Sequence, residues 1–214
     1  MSGDGQAPDA RIDWYLRYAR TIVDLGCGDG SWLDSHLETE GIGVDIAPPD
    51  AGNNSEQHRR WSFIQADLDH GIPLEDGRAD GIRANQVIEH IRNPLRFVTE
   101  VRRVLRPGGV FVATTPNIRY LRHIVRLALR GQGPMTSQRA ARTATDWDDG
   151  HIHFFTVDDL EWLALAAGFA AFRTEALIDL SGRLSALRRA LNGARRNGVV
   201  KGLLSGNLLL VARK

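Results

Sequence analysis

One run constrains this chain more than any other: Val23-Asp24-Leu25-Gly26-Cys27-Gly28-Asp29-Gly30-Ser31, in which an apolar stretch of strand character passes through three glycines into a stretch with helical spacing. Glycine permits the tight, left-handed turn that such a junction needs and lets a backbone or ligand approach closely. A strand, a glycine-rich turn and a helix in that order form the opening unit of a doubly wound sheet, in which ligands bind outside the carboxyl ends of the strands.

The rest of the chain repeats that alternation. Short apolar runs recur at 21–25, 41–46, 62–66, 80–84 and 109–115, separated by stretches of helical spacing, notably 31–38 and 94–105. A short helix is expected over 11–20, another over 118–130, and a third over 156–167, where Thr156-Val157-Asp158-Asp159 has the spacing of a capping box and Gly168 marks the end. Two further strand-like runs, 169–178 and 207–213, flank an Arg-rich helical insert at 183–196. Near-continuous apolar strands suit a parallel sheet covered on both faces, so the expected class is α/β, doubly wound and Rossmann-like.

Length and composition agree. The 214 residues fit one domain, with 1–9 as a flexible terminus and 10–214 as the folded unit. With 43% hydrophobic and 25% charged residues, the chain has neither a disordered nor a fibrous composition. It contains no apolar run of the ~18 residues a spanning helix needs, and its first residues lack the basic and apolar regions of a secretory signal. Its single cysteine, Cys27, cannot close an intrachain disulfide, so a reducing, cytoplasmic setting is expected.

The formal charge of +1 conceals a strong asymmetry. Residues 101–145 hold nine Arg and no acid, and residues 180–214 hold six Arg, two Lys and no acid, which leaves 10 basic residues against all 26 acids elsewhere. Arg supplies 25 of the 27 cations, a bias that codon usage alone can produce.

The charges around the glycine turn bear on the ligand. Gly26, Gly28 and Gly30 follow Gly-x-Gly-x-Gly, whereas a dinucleotide fingerprint needs a glycine at the position of Ser31. Asp24 and Asp29 flank the turn, Asp45 ends the second strand and Asp67 follows the third, so several carboxylates face the place a pyrophosphate would occupy. A ligand with a cationic centre, an amino group, ribose hydroxyls and an adenine, but no phosphate, suits them better. S-adenosylmethionine fits that description.

On these residues the chain resembles the class I S-adenosylmethionine-dependent methyltransferases, in the branch that includes the quinone-biosynthesis enzymes, over most of residues 20–178. The resemblance implies a seven-stranded, mostly parallel sheet with an antiparallel last strand and helices on both faces. It also implies roles: Asp24, Gly26, Gly28 and Gly30 cradling the methionine part, Asp45 accepting the ribose hydroxyls, Asp67 and Leu68 contacting the adenine, and Asn85 lying near the methyl group. Asp67 could instead cap the turn that follows it, and His90, beside Glu89, could either pack a loop or take part in catalysis.

The acceptor side is expected in the segments after strands four and five, with inserts at about 116–155 and 179–205. There Asp146-Trp147-Asp148-Asp149-Gly150-His151-Ile152-His153-Phe154-Phe155 concentrates polar and aromatic groups. In an extended stretch His151 and His153 share a face. Such a pair could deprotonate a hydroxyl, oriented by Asp148 or Asp149, could hold a divalent metal such as magnesium, or could simply fix the loop. Trp147, Phe154 and Phe155 could stack on a sugar or belong to the core. This segment is similar to methyltransferases of glycan and polysaccharide biosynthesis, which implies O-methylation of a sugar hydroxyl on a small-molecule or oligosaccharide acceptor; quinone, lipid and RNA acceptors, or a cofactor-binding protein without turnover, are the alternatives.

Finally, 118–130 can form a basic amphipathic helix with Arg119, Arg122, Arg126 and Arg130 opposite Leu121, Ile124, Val125 and Ala128. Its expected uses are peripheral contact with an anionic surface, closure over a phosphate-bearing acceptor, or a solvated face on a helix packed against the core. Nucleic acid is disfavoured as a partner, since strand four ends in Asn85-Gln86-Val87 without the Asn/Asp-Pro-Pro-aromatic motif of base-amino methyltransferases. A homo-oligomer is compatible with the sequence.

Overall fold

The computed structural model describes residues 8–36, 40–49, 61–133, 150–177 and 202–214. Residues 146–149 and the Arg-rich insert at 183–196 lie outside the described residues, and with them Trp147, Asp148 and Asp149.

The strands are β1 (Thr21–Leu25), β2 (Glu40–Asp45), β3 (Trp61–Gln65), β4 (Ala79–Asn85), β5 (Leu105–Pro116), β6 (Ala171–Leu177) and β7 (Asn207–Arg213), and the helices are α1 (Pro8–Leu16), α2 (Ser31–His36), α3 (Pro94–Val104), α4 (Leu121–Arg130) and α5 (Val157–Ala166). One seven-stranded sheet runs in the order β3-β2-β1-β4-β5-β7-β6. β1 to β5 pair in parallel, and β7 lies antiparallel between β5 and β6. This is the expected doubly wound, Rossmann-like sheet. Strand order reverses between β1 and β4, and the crevice outside their carboxyl ends is where such a fold binds ligands.

Each strand face supplies a separate core, which explains the unbroken apolar runs. Val23 and Leu25 join a cluster with Phe97, Val101, Leu160 and Leu163 from α3 and α5. Ile22 joins a second cluster with Ile12 and Leu16 of α1 and with Leu33 of α2. Fully burying a side chain of this size stabilises by about 1.5–3 kcal/mol, so both layers contribute substantially.

Local signals place most ends. The Asn93 side chain accepts the Arg96 N–H at 3.0 Å, and Pro94 occupies the first turn of α3, where its missing N–H costs nothing. At α5 the Asp159 carboxylate accepts the Thr156 N–H at 2.8 Å while the Thr156 hydroxyl accepts the Asp159 N–H at 3.3 Å, a complete capping box.

Three boundaries depart from expectation. α1 covers Pro8–Leu16 rather than 11–20, so helix begins inside the segment read as a flexible terminus. β5 starts at Leu105, pairing with Ala79, and its register shifts between Ala79 and Gly81, with Arg106, Pro107 and Gly108 left exposed. α4 starts at Leu121 rather than 118, because the Asn117 side chain accepts the Arg119 N–H at 3.0 Å and its carbonyl accepts the Tyr120 N–H at 3.1 Å, closing a turn first.

Candidate functional site

Gly26, Gly28 and Gly30 all adopt positive φ, at 69°, 56° and 78°. Packing adds a second demand at two of them: a Cβ on Gly26 would lie 2.5 Å from Val87 Cγ2, and one on Gly30 would lie 2.1 Å from the Trp61 ring. A Cβ on Gly28 would meet nothing within 4 Å, so the loop is pressed against the protein at both ends and open in the middle. The Gly28 N–H donates to Asp45 Oδ2 at 2.8 Å, and Asp45 Oδ1 accepts the Ala47 N–H at 3.2 Å. Asp45 therefore ties the glycine loop to the end of β2, and Ile46, 64% exposed, leaves an apolar surface beside it.

Asp24 differs from the reading that set its carboxylate among those facing a ligand. It is completely buried, and Arg83 Nη1 donates to both of its oxygens, at 2.7 and 2.9 Å. Burial pushes its carboxyl up to about 6 although Arg83 acts in the opposite direction. The Arg83 guanidinium also lies 4.5 Å from the centroid of Trp32. Asp24 and Arg83 join β1 to β4 beneath the loop, and the carboxylates left near the carboxyl ends of the strands are Asp29, whose Oδ1 accepts the Ser31 N–H at 3.0 Å, Asp45 and Asp67.

After β3, Asp67 Oδ1 accepts the Asp69 N–H at 2.9 Å and Oδ2 lies 3.1 Å from His70 Nδ1, the turn-capping geometry that the sequence left open. Leu68 packs partly buried against the core cluster of α3 and α5. At the end of β4, Asn85 Oδ1 accepts the Thr114 hydroxyl at 2.5 Å. Gln86 follows with φ 56°, the one left-handed non-glycine among the described residues, held by its N–H to the Thr114 carbonyl at 3.0 Å.

A single 3-10 turn, Ile88–His90, then buries Glu89 completely. Neither carboxylate oxygen meets a hydrogen-bond partner of good geometry among the described residues, and burial pushes the carboxyl up to about 7 against smaller opposing effects of its own backbone N–H and the Thr115 hydroxyl. Glu89, His90 and His151 each bring a potential ligand atom within 4.8 Å of the others, and the two rings meet edge to face at 4.7 Å. His90 Nδ1 lies 3.2 Å from the Gly150 carbonyl, which can only accept, so in the neutral ring Nε2 keeps its lone pair. Buried carboxylate oxygens without a well-placed donor among the described residues and two adjacent imidazoles form a donor set that suits a divalent ion.

His151 and His153 are both half-buried between exposed Ile152 and Phe154, but the two rings meet different partners. The Glu89 carbonyl accepts the N–H groups of both Ile152 and His153, at 3.0 and 3.1 Å, whereas successive N–H groups of an extended strand point in opposite directions. The rings therefore have different neighbours: His151 meets His90, while His153 Nε2 lies 3.4 Å from the Arg92 carbonyl. His153 lines an open cavity of about 380 Å³ with Arg92, Phe154 and Trp162. Phe155 is 5% exposed and belongs to the core, while Phe154 and Trp162 are 41% and 59% exposed.

Arg83, Gln86 and Thr115 escaped the sequence reading. An arginine inside an apolar run was a signal for Arg83, but the register that sets it beside Asp24 is not legible without the sheet.

Residues 8–173 match the family model described as a methyltransferase domain. The chain belongs to this family. A probable S-adenosylmethionine-dependent methyltransferase of Mycolicibacterium smegmatis is 36% identical over 104 residues, covering 46% of this chain and 38% of that protein. A ubiquinone biosynthesis O-methyltransferase of Cereibacter sphaeroides is 31% identical over 101 residues, covering 45% of this chain and 41% of that protein. The methyltransferase domain described here thus spans less than half the length of either relative. A crystal structure of a methyltransferase from Archaeoglobus fulgidus has the same fold, with a TM-score of 0.63 and 18% identity over 96% of this chain and 92% of that one.

Proposed function

We propose that this methyltransferase binds S-adenosylmethionine in the crevice between β1 and β4 and methylates a hydroxyl group. The cofactor fits the residues present: the open backbone at Gly28, the Asp45 carboxylate at the end of β2, the Asp67–Leu68 turn and Asn85 all lie at the carboxyl ends of adjacent strands. When bound, it supplies an activated methyl group for in-line displacement. The protein's part is alignment and proton removal.

The observation that carries the hydroxyl reading is the cluster of Glu89, His90 and His151 at the end of β4. A hydroxyl loses its proton reluctantly, so its oxygen needs a base at hydrogen-bond distance. His151 accepts that proton on a ring nitrogen, and Glu89 and His90 stabilise the imidazolium that results. A divalent ion held by the same three side chains would be a different route to the same end, lowering the pKa of the hydroxyl itself with His151 as ligand instead of base. His153, turned to the Arg92 carbonyl, positions the segment rather than the proton.

For the acceptor, exposed Phe154 and Trp162 beside an open cavity support a saccharide, whose ring stacks on aromatic faces. A phenolic quinone precursor is the second reading, favoured by the similarity to the ubiquinone biosynthesis O-methyltransferase. The test is calorimetric titration of S-adenosylhomocysteine into wild type and Asp45→Ala, followed by a turnover screen over sugars, catechols and amines with and without magnesium. Binding weakened by Asp45→Ala, with turnover on a hydroxyl compound, is the expected result; unaltered affinity in the variant would overturn the cofactor placement, and turnover confined to nitrogen acceptors would overturn the hydroxyl reading.

A further inference from the structure

α4 is turned inside out for a helix on a globular protein. None of its residues is buried, and its large aliphatic side chains stand in solvent: Leu121 44%, Ile124 41%, Val125 41%, Leu127 52% and Leu129 80% exposed. The less exposed positions are polar, His123 and Arg126. Of the three uses expected for this helix, packing of its apolar side against the core is therefore not what the described residues do. Contiguous exposed aliphatic surface of this kind ordinarily marks an interaction site.

The helix is fixed to the sheet at the residue that leads into it, and its far end is capped. The Asn117 side chain donates to the Ser205 carbonyl at 2.8 Å, its N–H donates to the Gly206 carbonyl at 2.8 Å, and Gly131 closes the far end in the left-handed conformation. Because β5 ends at Pro116, α4 springs from the carboxyl edge of the sheet, the same edge as the glycine loop and Glu89.

Charge decides the occupant. Arg122, Arg126 and Arg130 recur every four residues and form one stripe about 6 Å apart, flanking the aliphatic surface. The nine arginines and absent acids of residues 101–145 mean that a second copy, meeting α4 symmetrically, would set one arginine stripe against another. A nucleic acid would use the arginines and leave the aliphatic side chains in water. A surface that is anionic at its rim and apolar just beneath matches both halves of the helix.

We propose that α4 docks this domain on an anionic lipid bilayer, its aliphatic row sunk at the headgroup boundary and its arginines on lipid phosphates, with the mouth of the crevice facing the membrane. This does not rest on the catalytic reading.

The experiment is co-sedimentation of the purified protein with vesicles of phosphatidylcholine alone or containing about 30% phosphatidylglycerol, at low and high salt. The expected result is at least tenfold more protein bound to the anionic vesicles, a severalfold loss at high salt, and a fall to the neutral-vesicle level in Leu127→Asp/Leu129→Asp. These positions are exposed, so that variant keeps the wild-type unfolding midpoint and circular dichroism. Equal binding to both vesicle types, binding retained in the double variant, or a wild-type dimer in light scattering that the double variant abolishes would overturn the proposal.

Discussion

Arg83 Nη1 donates to both carboxylate oxygens of Asp24 from the neighbouring strand, in a pair that is 6% and 0% exposed. Removing one partner strands a charge in the sheet. Arg83→Met is expected to lower unfolding free energy by about 3–5 kcal/mol in urea, whereas Asp24→Leu/Arg83→Met recovers most of it. Equal destabilisation by the single and double variants would mean that the pair is not the cause.

Glu89 sets a pH dependence of stability. Its folded-state carboxyl stands at about 7, above its ordinary 4.5, so the stability it contributes is fully present below pH 4.5 and is lost as pH rises through 7. The difference corresponds to about 3 kcal/mol. In chelator-treated protein, thermal unfolding should weaken across that interval in the wild type, and Glu89→Gln should flatten the profile. Parallel profiles would show that Glu89 titrates normally.

Gly28 and Gly30 should separate binding from folding. Gly30→Ala drives a methyl into Trp61 and is expected to destabilise the fold by more than the about 1–2 kcal/mol that a left-handed alanine costs. Gly28→Ala meets open space, so its effect on unfolding stays within that range while S-adenosylhomocysteine affinity drops at least tenfold. Calorimetry and urea unfolding of both variants decide the matter; unchanged affinity in Gly28→Ala would remove the loop from the ligand.

The two histidines should divide as their neighbours do. His151→Ala is expected to lower kcat by about 10²–10⁴ with S-adenosylhomocysteine affinity retained, the range typical of a lost general base. His153→Ala should keep kcat within about tenfold, because its ring nitrogen already faces the Arg92 carbonyl. The reverse order would move the base to His153.

What the sequence made legible was periodic or local. The alternation from Ile22 to Ala113 signals a covered parallel sheet, and the Thr156 and Asn93 caps are written within four residues of themselves. What stayed hidden depends on register and on contacts between distant segments. Nothing local says that Arg83 lies opposite Asp24, that the Glu89 carbonyl gathers Ile152 and His153, or that His151 meets His90. The separate partners of the two histidines stayed hidden for that reason: period-two reasoning says which positions alternate, not that one distant carbonyl gathers the segment and gives each ring a different neighbour.

The antiparallel insertion of β7 has a consequence for assembly. β6 pairs with the sheet only through β7, in a register running from Ala171 opposite Arg213 to Leu177 opposite Asn207. Until residues 207–213 dock against β5, β6 is an orphan, and so is Glu175, which receives the Tyr15 hydroxyl at 2.6 Å and fastens α1. The sixth strand and its Glu175 clasp thus wait on the seventh strand, whereas α1 already packs on the early half of the sheet through Ile12, Leu16 and Ile22: the far edge is expected to close last, when residues 207–213 dock.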